Sequence, residues 1–248
     1  MTRSALLTFL CVSLFVTDAS AGIPAESEQV LVGIAPNWNS SHVTLTLYEK
    51  KGLAKKTWRQ QGRSWKGRLG RNGLVWGRGL HPRVPDHLST KREGDGRAPA
   101  GIFDLGGAYG YASSIQKSPL LSYRQITPRD MWYEDVNSPY YNQHRILPHE
   151  PRTTAEKKAQ MKQGDYAHSL KLFIEHNSKR TGITPGEGSS IFFHIWRRGG
   201  AAPTAGCTTM SEENLKRLIA AIDPSRRPVY VLLPEQEYAK WREAWRLP

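Results

Sequence analysis

Phe193-His194-Ile195-Trp196-Arg197-Arg198-Gly199-Gly200 leads, two residues later, into Pro203-Thr204-Ala205-Gly206-Cys207-Thr208-Thr209-Met210. His194 closes the apolar run Ile191-Phe192-Phe193, which has the composition of a strand. Cys207 lies thirteen residues further on, in a glycine-containing turn shortly before a helix. A strand end and a turn joined by a short loop can return to meet, so the imidazole can reach the sulfur. The thiolate is the nucleophilic form, and a free thiol with a pKa of about 8.5 is mostly protonated at neutral pH. A neighbouring imidazole, with Arg197 and Arg198, would stabilise the thiolate. Gly206 lets backbone approach closely, and the amides around Gly206 and Cys207 can aim at an oxygen that turns negative. These are the parts of an acyl-transfer site working through a thioester. The plain alternative is a histidine and a cysteine that are both structural.

Cysteine usage bears on that choice. Residues 1–21 read as a secretory signal: Arg3, a short apolar run from Ala5 to Val16, then Ala19-Ser20-Ala21 before Gly22. The run is too short to span a bilayer, and no later segment is apolar enough to do so. Cys11 leaves with the signal, so Cys207 would be the single thiol of an exported protein, with no partner in its own chain. The expected location is the periplasm or cell wall. The formal net charge of +13 is unchanged by cleavage, because Arg3 and Asp18 leave together. After export such a charge suits an acidic wall polymer or surface lipid better than nucleic acid, the alternative being a generally basic, solvated surface.

The rest of the chain reads as one domain, 22–248, with its core at about 30–235 and no linker or repeat. Strands are predicted over Gln29–Ala35 and His42–Glu49, where Val43, Leu45 and Leu47 alternate with polar residues. Trp58, Trp65 and Trp76 belong to short strands, and Gly94-Asp95-Gly96 with Pro99 marks a turn feeding another. Residues 112–152 are irregular and read as a flap or insertion. In it, Trp132, Asp135, Tyr141 and Asn142 either line the acceptor side of a cleft or pack the flap itself. Thr153-Thr154-Ala155-Glu156 opens a short helix as a capping box. Leu170–Glu175 and Ser190–Ile195 read as strands. Ser211 caps a helix whose Leu215, Leu218, Ile219 and Ile222 form one apolar stripe, and Pro228–Leu233 is a strand before a last helix over Glu235–Arg246. His144 and His149, and His168 and His176, invite a metal, but no His-Glu-x-x-His helix is present and one cysteine cannot build a cysteine-rich zinc site. No metal or cofactor is expected.

His194, the following loop and Thr204-Ala205-Gly206-Cys207 resemble the signature of L,D-transpeptidases with the YkuD-type catalytic domain. Residues 92–103 resemble the family's strand-turn before its active-site sheet, and Asp135 with Ser138-Pro139-Tyr140-Tyr141-Asn142 resembles one branch of it. The resemblance implies a mainly β fold with flanking helices, a YkuD-like β-sandwich. It implies peptidoglycan stem peptides as donor and acceptor, attack after the third stem residue and loss of the terminal D-alanine. Cys207 would be the nucleophile, His194 the base, and Gly206 part of the oxyanion region. Two positions depart from the pattern: Ala205 where many members have a second histidine, and Thr209 where many have arginine. Arg197 or Arg198 is expected to take over contact with substrate carboxylates, beside Thr204. Hydrolysis of the same thioester would instead make a carboxypeptidase or endopeptidase. A non-catalytic wall-binding protein is the rival outside enzymes.

Overall fold

The computed structural model describes residues 22–51, 57–84 and 87–248. The expected signal at 1–21 lies outside the described residues. The strands are β1 (Gln29–Ala35), β2 (His42–Lys50), β3 (Trp58–Gln60), β4 (Trp65–Arg68), β5 (Leu74–Trp76), β6 (Ala98–Gly110), β7 (Tyr123–Gln125), β8 (Asp130–Trp132), β9 (His144–Ile146), β10 (Leu170–Ile174), β11 (Phe192–Ile195), β12 (Thr208–Met210) and β13 (Val229–Pro234). The helices are α1 (Thr154–Ala159), α2 (Glu212–Ala221) and α3 (Glu235–Trp241).

Pairing runs β1-β13-β6-β10-β11-β12-β4-β2, and β2 pairs back onto β1. The ladder therefore returns on itself as a ring, with β3, β5 and β7 added at its margins. A mainly β fold with few helices was expected and is found. The 13-residue β6 links the two halves of the ring, pairing with β13 through Gly101–Asp104 and with β10 through Leu105–Gly110. β2 alternates buried and half-buried residues, as its sequence requires, while every residue of β13 is buried. The main core gathers Leu31, Leu45, Phe103, Leu172, Phe193 and Tyr230.

In β6, Gly101 has φ +136°, and a Cβ there would sit 2.0 Å from His81 Cε1, so only glycine fits. His81 fills that space as a buried neutral ring, accepting from Ile102 N and donating to Gly77 O. His176 behaves similarly, between Arg78 N and Glu187 O. The capping box at Thr153 is present, and Ser211 caps α2, which buries Leu215, Leu218 and Ile219. The last helix ends at Trp241, short of the expected Arg246, although Trp241 and Trp245 still stack at 5.1 Å. Among the described residues no helix is long and apolar enough to cross a membrane.

The 112–152 region is more ordered than its composition suggests. It holds β7 and the β8–β9 hairpin, and it packs on the outer face of β10 and β11 through a second cluster of Ile126, Trp132, Met161, Phe173 and Phe192. Asp130 anchors it. Its carboxylate is fully buried and pairs with the Arg124 guanidinium. It also accepts from Thr127 N (2.8 Å), Thr127 Oγ1 (2.7 Å) and His144 Nε2 (2.8 Å). Burial opposes ionisation, but these donors together hold the carboxyl down to about 2. The stabilisation is complete above the ordinary Asp pKa of about 3.9 and is lost as pH falls through about 2. Asp130→Ala leaves Arg124 and three further donors without their acceptor. It is expected to lower unfolding free energy by about 3 kcal/mol at pH 7, with a smaller deficit near pH 2, measurable by urea denaturation at both pH values.

Candidate active site

Cys207 is delivered by β12, which the sequence does not announce as a strand. β12 pairs in parallel with β11, in the register Phe193↔Thr208, His194↔Thr209, Ile195↔Met210. Side chains alternate along a strand, so Phe192 and His194 of β11 share one face with Cys207 and Thr209. The opposite face sends Phe193 and Met210 into the main core. On the other side of β11, Lys171 of β10 is level with His194. A row Lys171–His194–Thr209 thus crosses three strands, with Cys207 one step along from it.

The turn before Cys207 is fixed by Thr204. Its Oγ1 accepts from Gly206 N (3.0 Å) and donates to Cys207 O (2.7 Å). Its own backbone is tied to Leu69 O and Arg71 N. A Cβ at Gly206 would meet Arg97 O at 3.0 Å, so this position needs a minimal side chain. On the far wall, Asp95 folds the 91–97 loop by accepting from Arg92 N, Arg97 N and buried Lys91 Nζ.

Cys207 and His194 line one cavity of about 320 Å³, together with Lys91, Glu93, Glu134, His168, Arg197 and Thr209. The partly buried thiol donates to Ser190 O at 3.4 Å, not to His194. Burial pushes its pKa up. The Phe192 amide, Lys171 and Lys91 pull the other way, and Glu134 adds to the rise. His194 Nδ1 lies 2.9 Å from Ile195 O. A carbonyl only accepts, so Nδ1 carries the proton and the lone pair sits on Nε2. Burial first, then the nearby His168, drives the His194 pKa down to about 3. At rest the pair is therefore a neutral thiol beside a neutral imidazole. The expected thiolate held by imidazole, Arg197 and Arg198 is corrected on this point.

Arg197 lines the cavity, but its guanidinium is engaged by Asp165 and by His168. Arg198 is exposed and outside the cavity lining. The cation that burial brings close is Lys171, pulled down to about 8 by desolvation against the attraction of Cys207. Its Nζ donates to Met161 O (3.1 Å) and lies 5.5 Å from the Phe192 ring centroid. A lysine inside Leu170-Lys171-Leu172-Phe173-Ile174, buried throughout, was the sequence signal for it.

Trp132, Tyr141 and Asn142 are buried and do not line this cavity, and Asp135 is exposed in a turn where it accepts from Asn137 N. They act by support. Trp132 Nε1 and Ser190 N both donate to Asn142 Oδ1, and Ser190 in turn offers its carbonyl to the thiol. The Tyr141 hydroxyl bonds Glu93, which does line the cavity. Of the histidines considered for a metal, His144 binds Asp130, His149 bonds Glu150 O and His176 is satisfied by backbone. Only His168 reaches the site.

The ring of β-strands thus presents a cysteine and a histidine on one face of two parallel neighbours, at the wall of one cavity. The chain matches the family model of the L,D-transpeptidase catalytic domain, YkuD, over residues 38–231, and belongs to that family. Its members are L,D-transpeptidases, acyltransferases with a cysteine nucleophile that act on peptidoglycan peptides. No curated protein matches the chain.

A raised thiol pKa without a preformed ion pair has a direct signature. Alkylation of Cys207 by iodoacetamide should be slower at neutral pH than that of a free thiol of pKa about 8.5, and should climb in one step at high pH. Reactivity that persisted as a plateau at acid pH would reveal a thiolate–imidazolium pair and contradict the neutral resting state.

Proposed function

We propose that this chain is an exported cysteine acyltransferase that joins or remodels peptidoglycan stem peptides through a thioester on Cys207. The observation that carries it is the placement of the single described cysteine and His194 on one face of the β11–β12 pair, at the wall of one cavity, in a chain of the L,D-transpeptidase family.

The chemistry follows from the resting protonation states. Cys207 Sγ attacks the donor carbonyl carbon as its proton passes to His194 Nε2, so thiolate forms only as the new C–S bond forms. With Gly206 N–H taken up by Thr204, the Cys207 N–H is the amide we assign to the developing oxyanion. The buried cations Lys171 and Lys91 favour the negative charge that develops on the Cys207 sulfur as its proton leaves. Collapse of the tetrahedral intermediate breaks the C–N bond, and the departing D-alanine amine leaves with the proton from His194. An acceptor amine, deprotonated by His194, then attacks the thioester, and the proton returns to Sγ as the new amide forms. Water in place of the amine would give the hydrolytic outcome from the same intermediate. The net charge of +13 favours residence on an anionic wall polymer.

Incubation with disaccharide-tetrapeptide fragments, read by mass spectrometry beside Cys207→Ala, tests this. Cross-linked dimers with loss of D-alanine, absent from the variant, are the expected products. Tripeptide without dimer would assign the hydrolytic reaction. No Cys207-dependent product from stems of several compositions would refute an acyl transfer on these peptides.

A further inference from the structure

His168 has no role in the steps above, yet its ring stacks on the catalytic imidazole. The two rings lie 4.7 Å apart at 29°, and both line the cysteine cavity. Residues 166–168 form a short 3-10 turn capped by Asp165, whose carboxylate accepts from His168 N. His168 Nδ1 sits 2.7 Å from Asp165 Oδ1 and 3.3 Å from an Arg197 nitrogen, and Arg197 itself pairs with Asp165. One ring nitrogen therefore faces an acceptor and a donor at once. If Nδ1 carries a proton it donates to Asp165; if it does not, it accepts from Arg197.

Two stacked imidazolium rings at this spacing, shielded from water, repel strongly, so the pair carries one positive charge at most. A positive charge on His168 would deny His194 the proton of the thiol. We propose that His168 is a positioning residue whose charge state decides whether His194 can act as the base, with Asp165 favouring its protonation and Arg197 opposing it. This rests on the acyl-transfer role given to His194 above.

The charged and titratable groups facing His168 are Asp165 on its own turn, Lys171 from β10, His194 from β11 and Arg197 just after it. Burial and Lys171 lower its pKa most, Asp165 raises it, and Arg197 lowers it further. The net direction is down, which keeps His168 neutral at neutral pH and leaves His194 free to receive a proton. Arg197 thus has a task apart from any contact with a substrate carboxylate. Asp165, held down to about 2 by Arg197 and His168 against its own burial, stays ionised throughout the working range.

The test uses the full protein and two readouts. NMR titration of the His168 ring needs no substrate. Arg197→Met is suited to it, because the Arg197 side chain is 54% exposed and its loss opens no core. The His168 midpoint should move up by about one pH unit, a tenfold gain in proton affinity, in Arg197→Met, and down in Asp165→Asn. In the second readout, the acid limb of the kcat/KM profile for stem-peptide turnover should move to higher pH in Arg197→Met. It should move to lower pH in His168→Gln, and the double variant should follow His168→Gln. A residue with only a packing role would scale the rate at every pH and leave the limb in place. An unchanged His168 midpoint in Arg197→Met, or an unmoved acid limb in His168→Gln, would overturn the proposal. The NMR arm stands even if no stem peptide is turned over, so failure of the reaction assignment and failure of this coupling are told apart.

Discussion

The parallel pairing of Phe192–Ile195 with Thr208–Met210 is the constraint on which the site depends. Three residue pairs fix the register, and the register alone puts Cys207 on the face that carries His194. A slip by one residue would turn the thiol into the main core beside Phe193. The pairing has little intrinsic strength, because β12 is only three residues long. It is held from both ends: Thr204 ties the preceding turn to Leu69 and Arg71, and Trp196 N bonds Met210 O beyond it. Ser211 then starts α2 at once, so the polypeptide leaves the strand in a defined direction.

The outer face of β10 and β11 would otherwise be an exposed apolar surface, with Phe173 and Phe192 side by side. The insertion covers it. Trp132 packs on both phenylalanines, and Asp130 locks the hairpin that carries Trp132. Burial of that surface also dries the neighbourhood of the thiol, and desolvation is the leading cause of the shifts at Cys207, His194 and Lys171. The packing that stabilises the insertion and the electrostatics of the site are therefore one effect seen twice.

This explains which parts were legible in the sequence. β2 and α2 carry periodic patterns, β1 and β13 are apolar runs, and His194 and Cys207 stand in a motif, so residue order was enough to place them. β12 has too few residues to show a period, and its conformation comes from its neighbour. Closure of the ladder into a ring was not legible, because it depends on pairing between β1 and β2 at the end of a long circuit, which local patterns do not encode. Trp132, Tyr141 and Asn142 were visible as unusual residues in a polar stretch, but their role in holding Ser190 and Glu93 needs three separate segments to meet. Asp165 and His168 gave no motif, and their meaning arises only where the 3-10 turn packs on β11.

A neutral resting pair is a poor nucleophile, and that has a benefit for Cys207. Oxidation to sulfenic and higher acids follows thiolate character and exposure. Cys207 donates its proton to Ser190 O and has its pKa raised by burial, so it shows little thiolate character. If the protein is exported, as proposed, it works in a compartment where an exposed thiolate would be consumed. The cost is that activation must come with the substrate. In the proposed reaction attack is coupled to proton transfer, and the groups assigned there to the new charge, Lys171, Lys91 and the Cys207 amide, must already be in place. They are held by buried contacts to Met161, Asp95 and Thr204 rather than by substrate, which is how preorganised stabilisation lowers a barrier without a charged ground state.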